Sequence, residues 1–198
     1  MLKRHPDQYN FFPKTYLFPQ DKQKLYREWD SETTLIVKPE ASCQGKGIYL
    51  TRDIDAIEEE HCVVQHYIEK PFLMEKMKFD LRLYVLVNGV NPLRIYLSKE
   101  GLARLSVRPY EELDDENLDD MTMHLTNYAI NKHSTRFCPN RAAIIDSVGH
   151  KRSLKATLKY MKKVENRDTD KLMADIKDII VKTMISGQPY LDSTFKTI

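Results

Sequence analysis

Cysteine is scarce in this 198-residue chain, and the few present exclude more than they suggest. Cys43, Cys62 and Cys138 are an odd number without Cys-x-x-Cys spacing. That argues against a disulfide framework or a structural zinc site and for reduced thiols used in packing. Long apolar runs are also missing: no stretch nears the ~20 residues of a membrane span. The opening MLKRHPDQYNFFPK lacks the apolar core of a signal peptide. A soluble, cytoplasmic protein with no membrane partner is the expectation. Neither sign of charge prevails, with 31 Lys and Arg against 29 Asp and Glu for a formal net charge of +2. Any affinity for a polyanion must therefore be local. Repeats and low-complexity tracts are absent, and 41% apolar residues suffice for a core.

What is present divides the chain into three parts. Residues 1–32 set Pro6, Pro13 and Pro19 among Tyr9, Phe11, Phe12, Tyr16, Phe18 and Trp29, which predicts extended chain lying against a neighbour. Residues 33–110 are strand-like, with candidate strands at 34–38, 47–50, 62–65, 81–87, 93–97 and 102–105. Between two of them DIDAIEEEH, 53–61, reads as a helix. Asn88-Gly89 supplies the chemistry of a tight antiparallel hairpin. Residues 111–198 open on EELDDENLDD, seven acids in ten, which reads as a solvated loop. Two amphipathic helices follow. One, 153–165, carries Leu154, Leu158 and Met161 at helical spacing, with Lys155, Lys159, Lys162 and Lys163 on other positions. The second, 170–185, groups Leu172, Ile176, Ile179 and Ile180. The fold class this predicts is α+β.

Chemistry concentrates between 36 and 104. In IVKPEASCQGKGIYL, Lys38 ends an apolar strand and precedes the glycines Gly45 and Gly47. A P-loop lysine would follow its glycines, so that reading fails. A strand lysine beside a glycine loop still suits phosphate, because Gly lets the backbone approach and successive N–H groups can face an anion. Further on, VVQHYIEKPF offers an apolar strand ending in polar groups, as an adenine pocket needs. In KFDLRLYVLV, Lys78, Asp80 and Arg82 alternate and so share a strand face, which makes either a polar site or a salt-bridge ladder. Arg104 lies in a short apolar strand, where a guanidinium calls for a carboxylate or phosphate.

Taken in order, KPEASCQGKGI, VVQHYI, KFDLRLYVLV, GLARLSVRPY, HLTNYAINK and GHKRSL resemble the tubulin-tyrosine-ligase-like proteins, which are ATP-grasp ligases, and above all their polyglutamylase members. The resemblance runs from NFFPKTYLFP to the end of the chain. It implies an ATP-grasp-like α+β fold of antiparallel sheets with flanking helices. Residues 33–110 would be the first nucleotide-binding lobe and 111–198 the start of a second, incomplete one. The implied reaction uses ATP and Mg2+ to turn a carboxylate of a tubulin tail into an acyl phosphate, which the amine of free glutamate then displaces. By motif, Lys38, Gln44 and Gly45 would hold phosphates, and Gln65, His66, Tyr67 and Ile68 the adenine. Lys78, Phe79, Asp80, Thr126 and Asn127 would complete the ATP site. Arg104, Tyr128 and Lys151 would grip the incoming amino acid, and Arg82 and Arg104 would act in catalysis.

Two departures from the family pattern stand out. Ala129 occupies a position where such proteins often have serine, which removes a hydroxyl from the amino-acid site. No Glu-x-Asn occurs, and after Asp178 the only side-chain carboxylate is Asp192, so no metal ligand is assigned. The 198 residues read as about half of a catalytic module, with little ligase activity expected of them alone. Lys155, Lys159, Lys162 and Lys163 are the candidate landing surface for an acidic tubulin tail. The other reading is a non-catalytic nucleotide- or microtubule-binding fragment. A monomer without nucleic-acid partners, located at microtubules and in cilia, is the remaining expectation.

Overall fold

The computed structural model describes residues 1–41, 43–139 and 148–196. The chain is α+β, and it divides into two units, each built from segments distant in sequence.

One unit comprises Phe12–Asp80 and Arg104–Pro139. Its frame is a four-stranded antiparallel sheet of β1 (Thr15–Leu17), β2 (Leu35–Pro39), β3 (Tyr49–Thr51) and β4 (Cys62–His66), in the order β1-β4-β2-β3. Register fixes what each face carries, because opposed residues point the same way. Tyr16 faces Val64, and Val37 faces both Val64 and Tyr49. That face is the main core, with Tyr16, Leu35, Val37 and Val64 fully buried and Leu25 of α1 (Lys22–Glu28) packed among them. Thr15 and Ile36 each face Gln65 on the other side. A second apolar layer forms there from Ile36, Leu50, Tyr67 and Leu125.

Several expectations are corrected here. Within residues 1–32, expected as extended chain, Lys22–Glu28 is helical, and β1 and α1 are integral to the sheet and its core, because Tyr16, Phe18 and Leu25 have nowhere drier to go. No helix forms at 53–61. Ile54 and Ile57 both enter the core, a spacing that a tight turn satisfies, while the Asp53 carboxylate accepts the Asp55 N–H at 2.9 Å and turns the chain. Of the thiols only Cys62 packs in the core; Cys43 and Cys138 are exposed. The acidic run 111–120 is a folded loop whose Leu113 and Leu118 cover the second apolar layer. The Asp114 carboxylate accepts the Glu116 and Asn117 N–H groups at 3.0 and 2.9 Å, and Asp120 caps the next helix. Also in this unit are β5 (Leu73–Met74), the start of β6 (Met77–Val90) and the end of β7 (Leu93–Pro109). Two short helices, α2 (Met121–His124) and α3 (Tyr128–Asn131), complete it.

The other unit comprises residues 1–11, 81–103 and 148–196. It holds the rest of β6 and β7, then β8 (Lys151–Ser153), α4 (Leu154–Lys163) and α5 (Thr169–Lys196). The candidate strands 93–97 and 102–105 are parts of one 17-residue strand, β7. The β6–β7 turn falls at Asn91-Pro92, three residues beyond the expected Asn88-Gly89. Proline has no N–H for the ladder and is best placed in the turn, while Gly89 stays in β6 and adopts φ +110°. On α4 the buried positions are Leu154, Thr157 and Met161. Thr157 is tolerated in place of Leu158 because its hydroxyl donates to the Ser153 carbonyl at 2.8 Å. Helix α5 runs past Gly187 and Pro189, and Gln188 Nε2 donates to the Val90 carbonyl at 2.8 Å, holding that end of the helix against the hairpin.

Candidate functional site

The second apolar layer of the first unit carries two lysines, each held by a relay that ends on a main-chain carbonyl. Lys38 is the last inward residue of β2 on that face. Its ammonium donates to Gln65 Oε1 at 2.8 Å, Gln65 Nε2 donates to Thr15 Oγ1 at 2.8 Å, and the Thr15 hydroxyl donates to the Pro13 carbonyl at 2.7 Å. A lysine can only donate, so the orientation of the Gln65 amide follows from it. Lys78, on β6, lies 4.1 Å above the Tyr67 ring and donates to its hydroxyl at 2.7 Å. That hydroxyl is 2.9 Å from His124 Nδ1, and His124 Nε2 is 2.8 Å from the Asn117 carbonyl.

Both lysines titrate low. Burial lowers Lys38. Burial, and then the nearby Lys38 charge, brings Lys78 down to about 8. Two half-buried ammonium groups near enough to repel one another are costly unless an anion joins them. Burial raises the Tyr67 hydroxyl, so it stays a neutral phenol.

The glycine loop borders this face. Gln44, Gly45 and Gly47 have φ of +60°, +87° and +68°. A Cβ on Gly45 would meet Ile130 Cδ1 at 2.8 Å and Asn127 Cγ at 3.0 Å, so the loop backbone lies directly against the Asn127 side chain. The loop closes on itself, the Lys46 N–H donating to the Cys43 carbonyl at 3.1 Å and the Ile48 N–H to the Gly45 carbonyl at 3.4 Å, which the positive φ angles permit. On β7, Arg104 grips Asp80 bidentately, its Nε donating to Oδ1 at 2.9 Å and its Nη2 to Oδ2.

The structure thus brings together Lys38 and Gln65 on the second face of the β1-β4-β2-β3 sheet, Tyr67 just past β4, and Lys78 from β6 of the other sheet, with Gly45 against Asn127. The His66 ring takes the opposite face of β4, stacked 6.1 Å from Tyr16. Ile68 is exposed, and Phe79 stands edge-on to Phe72. Thr126 and Ala129 are half-buried, while Tyr128 is exposed and edge-on to Phe137. Arg82, Lys151, Lys155, Lys159, Lys162 and Lys163 belong to the other unit and are all exposed; Lys162 bridges Asp170 at 3.2 Å. Thr15, Tyr110 and His124 were missed by sequence reasoning. Thr15 was within reach, since a hydroxyl in a strand can satisfy a neighbouring amide. His124 heads the motif HLTNYAINK but was given no role, because its partners are 7 and 57 residues away.

These features define an α+β chain with a cationic, glycine-bordered sheet face suited to a phosphate-bearing ligand. Residues 1–197 match the model of the tubulin-tyrosine ligase family, and the chain belongs to that family. It is 47% identical over 202 residues to a "Probable beta-tubulin polyglutamylase" of Tetrahymena thermophila, covering all of this chain and 17% of that protein. It is 43% identical over 200 residues to mouse "Tubulin polyglutamylase TTLL13" and, equally, to Danio rerio "Tubulin polyglutamylase ttll6", covering 24% and 25% of those proteins. The chain therefore spans about a sixth to a quarter of the length of these relatives.

Proposed function

We propose that this chain is part of an ATP-dependent carboxylate–amine ligase of ATP-grasp type that adds glutamate to side-chain carboxylates of tubulin tails, acting at microtubules. The observation that carries the reading is the pair of half-buried lysines, Lys38 and Lys78, beside the Gly45 loop. It occurs in a chain with relatives named tubulin polyglutamylases. Moving a phosphoryl group from a nucleotide to a carboxylate brings two anions together, and fixed cations offset that repulsion and stabilise charge in transit.

Lys38, Gln44 and Gly45 hold phosphates, with Lys78, Phe79 and Asp80 on the same nucleotide. Gln65 to Ile68 hold the adenine through the end of β4, and Thr126 and Asn127 close the site. Once the tail carboxylate is phosphorylated, ADP leaves. The neutral glutamate amine then attacks the acyl carbon, phosphate departs with its bonding pair, and the nitrogen gives up one proton to the departing phosphate or water. Arg104, whose plane Asp80 fixes, grips the glutamate with Tyr128 and Ala129; Lys151 and Arg82, which belong to the other unit, are assigned to the amino acid and the phosphoryl oxygens by motif alone. Lys155, Lys159, Lys162 and Lys163 steer the acidic tail. Among the described residues no group of three or more His, Cys, Asp or Glu could hold a metal ion.

Calorimetric titration of ATP into the wild-type chain and Lys38→Ala tests the reading. The expected loss is at least ~tenfold in affinity, the size of a removed charge-assisted contact. Unchanged affinity would take Lys38 out of the site. ATP binding that neither glutamate nor an acidic tail peptide alters would favour a non-catalytic nucleotide-binding role.

A further inference from the structure

We infer that His124 is a positioning residue for the nucleotide: it accepts the Tyr67 hydroxyl and so turns that oxygen's lone pairs toward Lys78, fixing where the ammonium points. The inference rests on the reading of Lys78 as a nucleotide ligand and adds to it a residue outside the family motifs' assigned contacts.

With the imidazole neutral, the contacts give the relay a direction. The Asn117 carbonyl has no proton to give, so His124 Nε2, at 2.8 Å, must carry one. In a neutral imidazole Nδ1 is then bare and can only accept, and its partner at 2.9 Å is the Tyr67 hydroxyl. Tyr110 is also hydrogen-bonded to Tyr67 and spends its own proton on the Glu69 carbonyl at 2.7 Å, so it too can accept. A bare Nδ1 facing a bare oxygen at 2.9 Å would repel, however, so the Tyr67 proton goes to His124 and Lys78 meets lone pairs alone, at 2.7 Å. An ammonium fixed through one N–H on an oriented acceptor has its other two N–H groups confined to a cone. The arrangement is shielded, since His124 is 1% exposed and stands edge-on to both Tyr67 and Tyr110, with centroids 5.5 and 6.2 Å away. The acidic loop supplies the anchor at the far end, because Asn117 is held by the Asp114 carboxylate.

Protonating the imidazole would set an Nδ1–H against the Tyr67 oxygen and reverse the chain. The groups facing His124 are Tyr67 on β4, Lys78 on β6, Tyr110 beyond β7, the Asn117 carbonyl, and Asp120 at the start of its own helix. Burial and Lys78 keep the ring neutral; the Asn117 carbonyl and Asp120 pull the other way. The relay therefore operates at neutral pH and fails in acid.

Two measurements on the full 198-residue chain decide the matter. Imidazole nitrogen chemical shifts should show His124 with a bare Nδ1 and a protonated Nε2; the opposite tautomer would overturn the inference, whatever ATP does. Calorimetric ATP titrations of wild type, Tyr67→Phe, His124→Leu and His124→Asn supply the second. An asparagine oxygen takes the place of Nδ1, so His124→Asn should stay within ~threefold of wild type while His124→Leu and Tyr67→Phe lose ~tenfold. The wild-type affinity should also fall relative to His124→Asn as pH drops from about 8 to about 5.5, because only the imidazole protonates. Titration of the nucleotide's own phosphate cancels in that ratio. Equal affinities for wild type and His124→Leu, or a ratio flat with pH, would overturn the inference and leave the nucleotide reading standing. Failure of wild type to bind ATP would instead overturn the nucleotide reading, and this inference with it.

Discussion

Lys78 is the residue least at ease in the folded chain. Its neighbours include two tyrosine rings, a histidine and another lysine; burial and the Lys38 charge outweigh the Asp80 carboxylate, and it titrates at about 8 where a free lysine does so at 10.5. A folded-state value below the unfolded one means that folding favours the deprotonated form. The contribution to stability is fully present above 10.5 and lost as pH falls through about 8, so at neutral pH the charged lysine is a burden. Lys78→Met is accordingly expected to stabilise the ligand-free chain by ~2 kcal/mol at neutral pH, allowing for solvent screening of a partly accessible group. The advantage should shrink as pH climbs from about 8 toward 10.5, and ATP affinity should fall at the same time. Urea unfolding at several pH values checks the first part, and a stability gap that does not change with pH would contradict it. Stability given up at one position for function is the usual sign of a binding site.

Among the elements, the loop before β3 and the strands around it show how far local patterns reach. The glycines of QGKG implied a close approach, but not what was approached; the structure supplies Asn127 and Ile130, more than eighty residues onward. Gly45→Ala should cost ~1–2 kcal/mol, from a left-handed φ of +87° and from crowding against Ile130 Cδ1 at 2.8 Å. Adding Ile130→Val removes that methyl and should recover the crowding part but not the φ part. Thermal unfolding of the two variants separates them, and full recovery would show that backbone conformation is unimportant there. Strands β2, β4 and much of β6 and β7 were legible because alternation and β-branched residues mark them locally. The segment 53–61 was misread because Ile54 and Ile57 fit a helix face as well as a turn dipping into a core, and only the core distinguishes the two. The hairpin turn moved to Asn91-Pro92 for a related reason: Asn-Gly is a good turn, yet a proline nearby is a worse strand residue than a glycine.

At the scale of the whole molecule, the division into two units gives the nucleotide proposal a further consequence. Both lysines, both relays and the Gly45 loop lie in the unit of Phe12–Asp80 and Arg104–Pro139. ATP at a hundred times its dissociation constant should stabilise the folded chain by ~2.7 kcal/mol. Amide exchange should slow most in β2, β4, the 43–47 loop and 121–131, and least along α5. Slowing concentrated in α4 and α5 would place the ligand elsewhere. The order of motifs along the chain was enough by itself to imply the family, the α+β class and the identities of Lys38, Gln65 and Lys78, because each is written within a few residues of a strand signal. Which groups hold those lysines was decided only in three dimensions. Thr15 is 50 residues from Gln65 and His124 is 57 from Tyr67, and hydrogen-bond direction depends on which atoms meet, something no sequence spacing encodes.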